Sequence, residues 1–376
     1  MKVKHIASAI LLAAITAACG GTQNNASQGL ALKDVVADQF LMGTAINVRQ
    51  AAGLDTSATN IVKKHFNAIV AENCMKMEEV QPEEGRFTFN DADNFVKFGE
   101  ENGLTMTGHV LIWHSQCPDW FCVDKNGKNV SPEVLKQRMK THITTVVQHF
   151  KGKLKGWDVV NEAILEDGSY RKSKFYEILG EEFIPLAFQY AHEADSTIEL
   201  YYNDYGMDNP GRREGVVKLI RSLKEKGLRI DAVGMQGHMG MDYPKIEEFE
   251  KSMLAFAQEG VKVMITEWDM SALPTVSRTA NISDTVAFQK ALNPYPNELP
   301  DSVSQAWNAR MKQFFKLFEK HADIVDRVTA WGVSDGDSWK NGFPIRGRKD
   351  YPLLFDRNYQ PKPWVKEVIE EANSQK

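Results

Sequence analysis

The chain has 376 residues, of which 45 are basic and 50 acidic, giving a formal net charge of −5. The absence of any basic run argues against nucleic acid as a partner. The four cysteines show no Cys-x-x-Cys or Cys/His spacing, which argues against a metal site, and Cys117 and Cys122 could form a disulfide bond or remain two packed free thiols.

An export signal is predicted at the N-terminus. Lys2 and Lys4 precede an apolar run that ends at Ala18 and is too short to span a bilayer. Small residues precede Cys19 and two glycines follow it, as in a bacterial lipoprotein signal, although Thr stands three positions before the cysteine, where Leu is usual. The pattern favours a signal peptide at residues 1–18 and a periplasmic or cell-surface lipoprotein; ordinary secretory cleavage is the alternative.

Residues 19–32 are mostly small and polar, which predicts a flexible tether. Residues 33–376 contain no composition break, repeat or low-complexity segment, so they are predicted to form one domain. Its 344 residues are many for an average domain and normal for an α/β barrel with elaborated loops. Contact with a membrane is expected only through a lipid on Cys19, and a monomer is predicted.

Short apolar segments and amphipathic segments alternate along this domain. The apolar segments predict eight strands: Phe40–Ile46, Phe66–Glu72, Leu104–Trp113, Gly156–Asn161, Ile198–Asn203, Ile230–Gln236, Val261–Glu267 and Arg327–Val333. The amphipathic segments predict helices: Asp91–Asn102, Pro132–Phe150, Lys174–Ala194, Arg212–Lys226, Lys245–Gln258, Ser304–Ala322 and Pro363–Asn373. Residues 279–301, rich in Asn and Pro, predict a long loop with a short helix. The alternation favours a closed parallel (β/α)8 barrel, with a three-layer sandwich as the alternative.

Polar and aromatic residues concentrate at the carboxyl ends of the predicted strands, where a barrel carries its catalytic groups. They are Glu72 and Asn73, His109, Trp113 and His114, Asn161 and Glu162, Asn203 and Asp204, Gln236 and His238, Glu267, and Trp331. Seven of the eight predicted strand ends carry such residues. This distribution predicts one site at that face rather than scattered surface polarity.

Two glutamates, Glu162 and Glu267, each end a short buried strand, where a carboxylate is costly unless it has a partner or a function. Glycosidic bond cleavage requires such a pair, one protonated as general acid and the other at the anomeric carbon. His238 could hold Glu267 ionised, and Asn161 could donate to a sugar hydroxyl. Either glutamate alone could be a surface residue at a strand–loop junction, but the pair with these neighbours favours a glycosidase.

Aromatic side chains near the strand ends support sugar binding. Indole rings offer flat apolar faces and an N–H donor, although a single Trp is more often a packing residue. The tryptophans in loop contexts are Trp113, Trp120, Trp331 and Trp339. A metal bound by His109 and His114 is disfavoured, because a five-residue separation is not a standard ligand spacing. No phosphate-binding loop occurs, and no cofactor is predicted.

Seven motifs, in order along the chain, resemble those of the xylanases of glycoside hydrolase family 10, from about Leu32 to Asn373. They are Ala71–Lys76, Gly108–Gln116, Trp157–Ala163, Tyr202–Tyr205, Gly234–His238, Ile265–Glu267 and Trp331–Asp335. One such motif would be weak, whereas seven in order are specific. The resemblance implies a (β/α)8 barrel that cleaves xylan and xylo-oligosaccharides internally at β-1,4 bonds with retention of configuration.

The same resemblance implies roles for individual residues. Glu162 matches the acid/base and Glu267 the nucleophile, with carboxyl groups about 5–5.5 Å apart in a retaining enzyme. Matching substrate-binding positions are Glu72, Asn73, Lys76, His109, Trp113, Gln116, Asn161, Tyr205, Gln236, His238, Trp331 and Trp339. Trp268 departs from the family, which usually has a smaller aliphatic residue there, and strand alternation directs it towards the helices. The alternatives are a barrel enzyme acting on another β-1,4-polymer and a lipoprotein that binds glycans without cutting them.

Overall fold

The computed structural model describes residues 29–276 and 285–374. Its centre is a closed parallel barrel, which confirms the predicted fold class. The strands are β1 Leu41–Ile46, β2 Ala68–Ala71, β3 Thr105–Trp113, β4 Gly156–Asn161, β5 Glu199–Asp204, β6 Ala232–Met235, β7 His238–Gly240, β8 Lys262–Ser271 and β9 Val325–Ala330. β6 and β7 both pair with β8, so together they fill one of eight positions, and the β1–β9 pairing completes the ring.

Helices connect successive positions of the barrel and cover its outside. They are α1 Leu32–Val35, α2 Val48–Ala51, α3 Thr56–His65, α4 Met77–Val80, α5 Asn90–Glu101, α6 Pro132–His149, α7 Lys174–Leu179, α8 Phe183–Ala194, α9 Pro210–Glu225, α10 Ile246–Gln258, α11 Asp301–Lys320 and α12 Pro363–Ser374. Short 3-10 turns occur at Asp119–Phe121, Gly180–Glu182, Lys290–Leu292 and Trp339–Asn341. Apolar side chains between the strands and these helices form the main core.

Two helical features differ from the sequence prediction. Helix α3 was not predicted, yet the Asp55 carboxylate accepts a hydrogen bond from the backbone N–H of Ala58 at 3.0 Å and caps its first turn. The predicted helix Lys174–Ala194 is two helices, because the chain turns at Gly180, where φ is +60°. Glycine adopts this left-handed conformation without a Cβ clash, so α7 ends there, and α8 begins at Phe183 after a short 3-10 turn.

The folded part of the chain begins before residue 33. Leu32, which the predicted tether includes, is fully buried in α1, and the backbone N–H of Leu30 donates to the Asn373 side chain at 3.3 Å. The predicted signal peptide, Cys19 and the tether up to residue 28 lie outside the described residues, as do residues 279–284 of the predicted loop. Cys117 and Cys122 are free thiols. Among the described helices, none has the length and apolar character needed to span a bilayer.

Irregular strand register occurs next to predicted site residues. The pairing of β3 with β4 shifts between His109 and Ile112, and the pairing of β8 with β9 shifts between Ile265 and Trp268. Such bulges redirect neighbouring side chains. Beyond the second shift, Trp268 packs against Phe318 and other aromatic rings of the helical layer, as strand alternation predicts.

Close packing between β3 and β4 generates a stability prediction. Gly108 lies against the indole of Trp157, and a Cβ added at Gly108 would overlap three atoms of that ring. Gly108→Ala should therefore lower the free energy of unfolding by about 1–3 kcal/mol, measured by urea denaturation. Gly342→Ala is the matched control, because its added Cβ meets only the Trp339 carbonyl oxygen, at 3.7 Å. Equal unfolding midpoints for the two variants would contradict the packing of Trp157 on β3.

Candidate active site

The predicted site residues converge on a cleft of about 140 Å³ at the carboxyl ends of the strands. Its lining residues are Glu72, Asn73, Lys76, His109, Trp113, Gln116, Asn161, Glu162, Gln236, His238, Glu267, Trp331 and Trp339. Thirteen of the fourteen predicted residues therefore share one cleft. The fourteenth, Tyr205, lines an adjacent pocket of about 350 Å³ that shares His238 with the cleft. A larger groove of about 930 Å³ lies among helices α10, α11 and α12 on the outer layer, away from these carboxylates.

Glu162 is a buried carboxyl group whose hydrogen-bond donors, among the residues that the structure describes, are neutral. It is 2% exposed, and its oxygens accept hydrogen bonds from the Gln236 amide at 3.0 Å and the Trp113 indole at 2.9 Å. Burial raises the pKa of Glu162 to about 7, and the Asp204 and Glu267 carboxylates act in the same direction. A carboxyl group with this pKa retains its proton near neutral pH and can deliver it to a leaving group.

The backbone at Glu162 is in the left-handed region, with φ of +59°, which is unfavourable for a residue with a side chain. Two contacts hold it there. Its N–H donates to the Asn203 carbonyl oxygen at 2.9 Å, and its own carbonyl oxygen accepts from the Arg171 guanidinium at 2.7 Å. The strained turn comes directly after β4, and it sets the direction in which the carboxyl group enters the cleft.

Glu267 has the opposite environment. It is 6% exposed, its Oε1 accepts from the Asn203 amide at 2.9 Å, and its Oε2 lies 3.0 Å from His238 Nε2. Burial alone would raise the pKa of Glu267, but the hydrogen bond and charge of His238 outweigh it, so the pKa is lowered. Glu267 is therefore ionised when Glu162 is protonated, and an ionised carboxylate can act as a nucleophile.

His238 is held by carboxylates on both ring nitrogens. Its Nδ1 lies 3.0 Å from Oδ1 of Asp269, a fully buried residue, and its Nε2 faces Glu267. Burial lowers the pKa of His238, but the two carboxylates outweigh burial and raise it to about 9. The imidazole is thus a cation at neutral pH that donates in both directions, which keeps Glu267 charged.

Amide side chains connect the two glutamates. Asn203 donates to Glu267, Gln236 donates to Glu162, and the Asn161 amide lies 3.0 Å from the Asn203 amide nitrogen and 3.2 Å from that of Gln236. In the orientation that satisfies both ends of the Asn161 amide, its nitrogen donates to the Asn203 carbonyl oxygen at 3.0 Å and its oxygen accepts from the Trp113 indole at 3.3 Å. The amides fix the relative positions of the carboxyl groups.

One end of the cleft is polar and suited to hydroxyl groups. The Lys76 ammonium group donates to the Asn73 and Gln116 side chains at 2.8 and 2.7 Å and lies 5.0 Å from the centre of the Trp113 ring. Burial disfavours the charged form of both neighbouring groups here, so it lowers the pKa of Lys76 and raises the pKa of Glu72. Closely spaced donors and acceptors of this kind match the vicinal hydroxyls of a sugar.

Two tryptophans form the aromatic wall of the cleft. Trp331 packs edge-on against His109 at 5.5 Å, and Trp339 lies nearly parallel to Phe343 at 4.8 Å while its indole donates to Asp269 at 2.8 Å. Trp120 is not among the residues that line the cleft, and its indole donates to the Pro82 carbonyl oxygen at 3.1 Å. Of the four predicted aromatic residues, Trp113, Trp331 and Trp339 therefore face the site.

The structure adds residues that the sequence analysis missed. Asp158 is buried and binds His109, with 2.8 Å between Oδ2 and Nδ1, and the Arg171 guanidinium also donates to the Tyr205 hydroxyl at 3.0 Å. Asp158 stands within the apolar strand β4, and this unusual position was a usable signal. Lys340 follows Trp339 directly and is buried behind the cleft, where no sequence pattern distinguishes it from a surface lysine.

The comparisons with known proteins all find glycoside hydrolases. A family model described as glycosyl hydrolase family 10 matches residues 31–371. The chain is similar to endo-1,4-beta-xylanase A of Xylanibacter ruminicola, 50% identical over 340 residues that cover 90% of this chain and 92% of the relative. It is 39% identical over 342 residues to endo-1,4-beta-xylanase of Geobacillus stearothermophilus, covering 90% and 97%. A solved GH10 endoxylanase from a sugarcane soil metagenome superposes with a TM-score of 0.87 at 40% identity, covering 91% of this chain and 100% of the other.

The opposed environments of the two glutamates predict a bell-shaped pH profile. Hydrolysis of a glycoside with a poor leaving group requires ionised Glu267 and protonated Glu162. The value of kcat/KM should therefore rise with pH below the ordinary glutamate value of 4.5, because the pKa of Glu267 is lowered, and should fall above about 7 as Glu162 loses its proton. Initial rates measured between pH 3 and 9 at low substrate concentration provide the test.

Glu162→Gln is the matched control for the basic limb of the profile, which is the decline of kcat/KM above about pH 7. With an activated aryl glycoside, which needs no proton on its leaving group, this variant should show no decline near pH 7 while the acid limb stays in place. A decline that persists near pH 7 in Glu162→Gln would assign the basic limb to another group.

Proposed function

The chain belongs to glycosyl hydrolase family 10, and we propose that it hydrolyses internal β-1,4-xylosidic bonds of xylan by double displacement. One observation carries the mechanism: two buried carboxyl groups share a cleft, and their pKa values are shifted in opposite directions. Xylan as the substrate is supported by the named activities of relatives that align over nearly their full length.

In the first displacement Glu267 attacks the anomeric carbon and forms an ester, while the bond to the leaving oxygen breaks. Glu162 gives its proton to that oxygen, so the leaving sugar departs as a neutral alcohol. Both carboxyl groups are positioned by donors that remain in place during the step, Gln236 and Trp113 on Glu162 and Asn203 and His238 on Glu267. Fixed donors of this kind cost no reorganisation at the transition state.

In the second displacement Glu162 acts as a base. It removes a proton from water, the resulting oxygen attacks the anomeric carbon, and the ester bond to Glu267 breaks, so two inversions leave the configuration retained. The negative charge of Glu267 is one of the groups that raise the pKa of Glu162. Ester formation removes that charge, which favours the ionised form of Glu162 at the point when a base is needed.

Sugar-binding roles for the remaining residues follow from their positions. Glu72, Lys76 and their amide neighbours would bind hydroxyls of one part of the xylan chain, and Trp331 and Trp339 would contact ring faces. Tyr205 would bind the other part, in the adjacent pocket. His238 borders both cavities, which supports passage of a polymer across the site and therefore internal cleavage.

We further propose that the barrel domain acts as a monomer, since one chain supplies both Glu162 and Glu267. Residues 1–18 would direct export and Cys19 would carry a lipid, so that the enzyme stays at the cell envelope, either in the periplasm or on the surface. The sequence before and after Cys19 supports this proposal, with ordinary secretion as the alternative.

Removing each carboxylate separately should identify its role. On xylan, Glu162→Ala should lose roughly 10²–10⁴-fold in kcat, because leaving-group protonation is lost, but far less on an aryl xylobioside with a good leaving group. Glu267→Ala should lose activity on both substrates.

With added azide, Glu162→Ala should yield a β-glycosyl azide from the glycosyl-enzyme. In Glu267→Ala, azide that replaces the carboxylate should yield the α-anomer. NMR distinguishes the two products.

A control variant and a comparison of substrates complete this test. Glu83→Ala removes an exposed carboxylate paired with Arg86 and should leave both activities unchanged. The unmodified protein should lower the viscosity of linear xylan before many reducing ends appear, with the β-anomer formed first. Equal losses of Glu162→Ala on both substrates would contradict its assignment, and cleavage of a β-1,4-glucan without cleavage of xylan would favour the other barrel enzyme.

Cys19→Ser provides the test of the lipid. In a bacterial host the unmodified protein should sediment with membranes, whereas Cys19→Ser should be recovered in the soluble fraction with similar activity, because the proposed attachment is through acyl chains on Cys19. Cys122→Ser is the control and should remain with the membranes. An unmodified protein that is itself soluble would replace lipid attachment with ordinary secretory cleavage.

A further inference from the structure

A buried lysine lies behind the nucleophile's side of the cleft. Lys340 belongs to the 3-10 turn Trp339–Asn341, whose start is fixed by Ser338, since its hydroxyl accepts from the Lys340 backbone N–H at 3.2 Å. The Lys340 side chain is 9% exposed, and its ammonium group lies 3.5 Å from Oδ1 of Asp269. A buried ammonium group is costly without a counter-charge, so the contact with Asp269 stabilises the Lys340 side chain in its buried position.

Asp269 joins several groups through one carboxylate. Its Oδ1 faces Lys340 and also His238 Nδ1 at 3.0 Å, while its Oδ2 accepts from the Trp339 indole at 2.8 Å. Two consecutive residues of one turn, Trp339 and Lys340, therefore bind the same buried carboxylate. Since His238 in turn contacts Glu267, the turn that contributes a cleft tryptophan is connected to the nucleophile by three polar contacts.

We propose that Lys340 is a positioning residue whose charge keeps Asp269 ionised, so that Asp269 holds His238 against Glu267 and the Trp339 indole in the cleft. This inference rests on the proposed function, because it assigns Glu267 as the nucleophile. Lys340 is not among the residues that line the cleft; its ammonium group contacts Asp269 and lies 4.8 Å from the centre of the Trp339 ring. Its effect on Glu267 is exerted through Asp269 and His238.

The charges around Asp269 determine the direction in which its pKa changes when Lys340 is replaced. Burial opposes the ionised form of Asp269, and the charges of His238 and Lys340 outweigh burial and lower its pKa. The other titratable groups facing Lys340 are Tyr243 and Asp350. Removing the Lys340 cation makes the surroundings more negative, so the pKa values of Asp269, His238 and Glu267 should all rise.

The groups that face Glu267 from other elements include His238 and Asn203, with His109, Lys76 and the Glu162 carboxyl group acting on it as more distant charges. These remain when Lys340 is replaced, so any shift of the acid limb in a Lys340 variant reports the lost charge. The limb should move to higher pH, because a Glu267 with a raised pKa stays protonated over a wider range.

Three substitutions separate charge from packing. Lys340→Met and Lys340→Gln remove the cation, and Lys340→Arg keeps it. In the two neutral variants the acid limb of kcat/KM on an aryl xylobioside should lie roughly 0.5–1 pH unit higher, the scale of one charge acting across a protein interior. In Lys340→Arg the limb should return to the position of the unmodified protein. Thermal melting shows that each variant is folded, and one folded neutral variant suffices.

A second measurement does not depend on activity. The ¹⁵N NMR titration of His238 should give a higher pKa in a neutral variant than in the unmodified protein. An unmoved acid limb and an unmoved His238 titration, even with a lower melting temperature, would make Lys340 a packing residue and overturn the inference. Equal shifts in Lys340→Arg and Lys340→Met would do the same. Failure of the unmodified protein to cleave xylan is a separate result that concerns the proposed function.

Discussion

The structure depends on holding two neighbouring buried carboxyl groups in different protonation states. Removing a carboxylate from water costs several kcal/mol unless a partner compensates it. Glu267 has such a partner in the cationic His238, whereas the groups bound to Glu162 are neutral donors, an amide and an indole. Glu162 therefore avoids the cost by keeping a proton. The division of roles follows from which carboxyl group receives the cation.

This division requires many strands to end at the same level. Asn161 of β4 pairs in register with Asn203 of β5, and His238 of β7 pairs with Asp269 of β8, so parallel pairing itself brings the supporting groups together. Register shifts in β3 and β8 and the left-handed backbone at Glu162 then adjust the final directions. These irregularities cost stability locally, and the large apolar core around the barrel offsets that cost.

The sequence predicts the barrel and most of the cleft because both depend on local patterns. An apolar run that ends in a polar residue marks a strand end, and barrel geometry gathers those ends. Helix α3 was missed because its buried face is small, chiefly Ala58 and Val62 within a polar segment. The division at Gly180 was missed since glycine is tolerated within helices. Lys340 has no local signature at all, as its significance lies in a contact with a strand about seventy residues away.

Conservation of charge explains how so many fixed ionised groups can surround a reacting centre. In the first displacement Glu162 changes from neutral to negative while Glu267 changes from negative to neutral, so the net charge of the cleft stays constant. The surrounding cations, His238 and Lys340 on one side and Lys76 on the other, therefore face the same total charge before and after the step. They need not change protonation or position. A permanently buried polar framework is compatible with catalysis here because the reaction moves charge between two carboxyl groups without creating any.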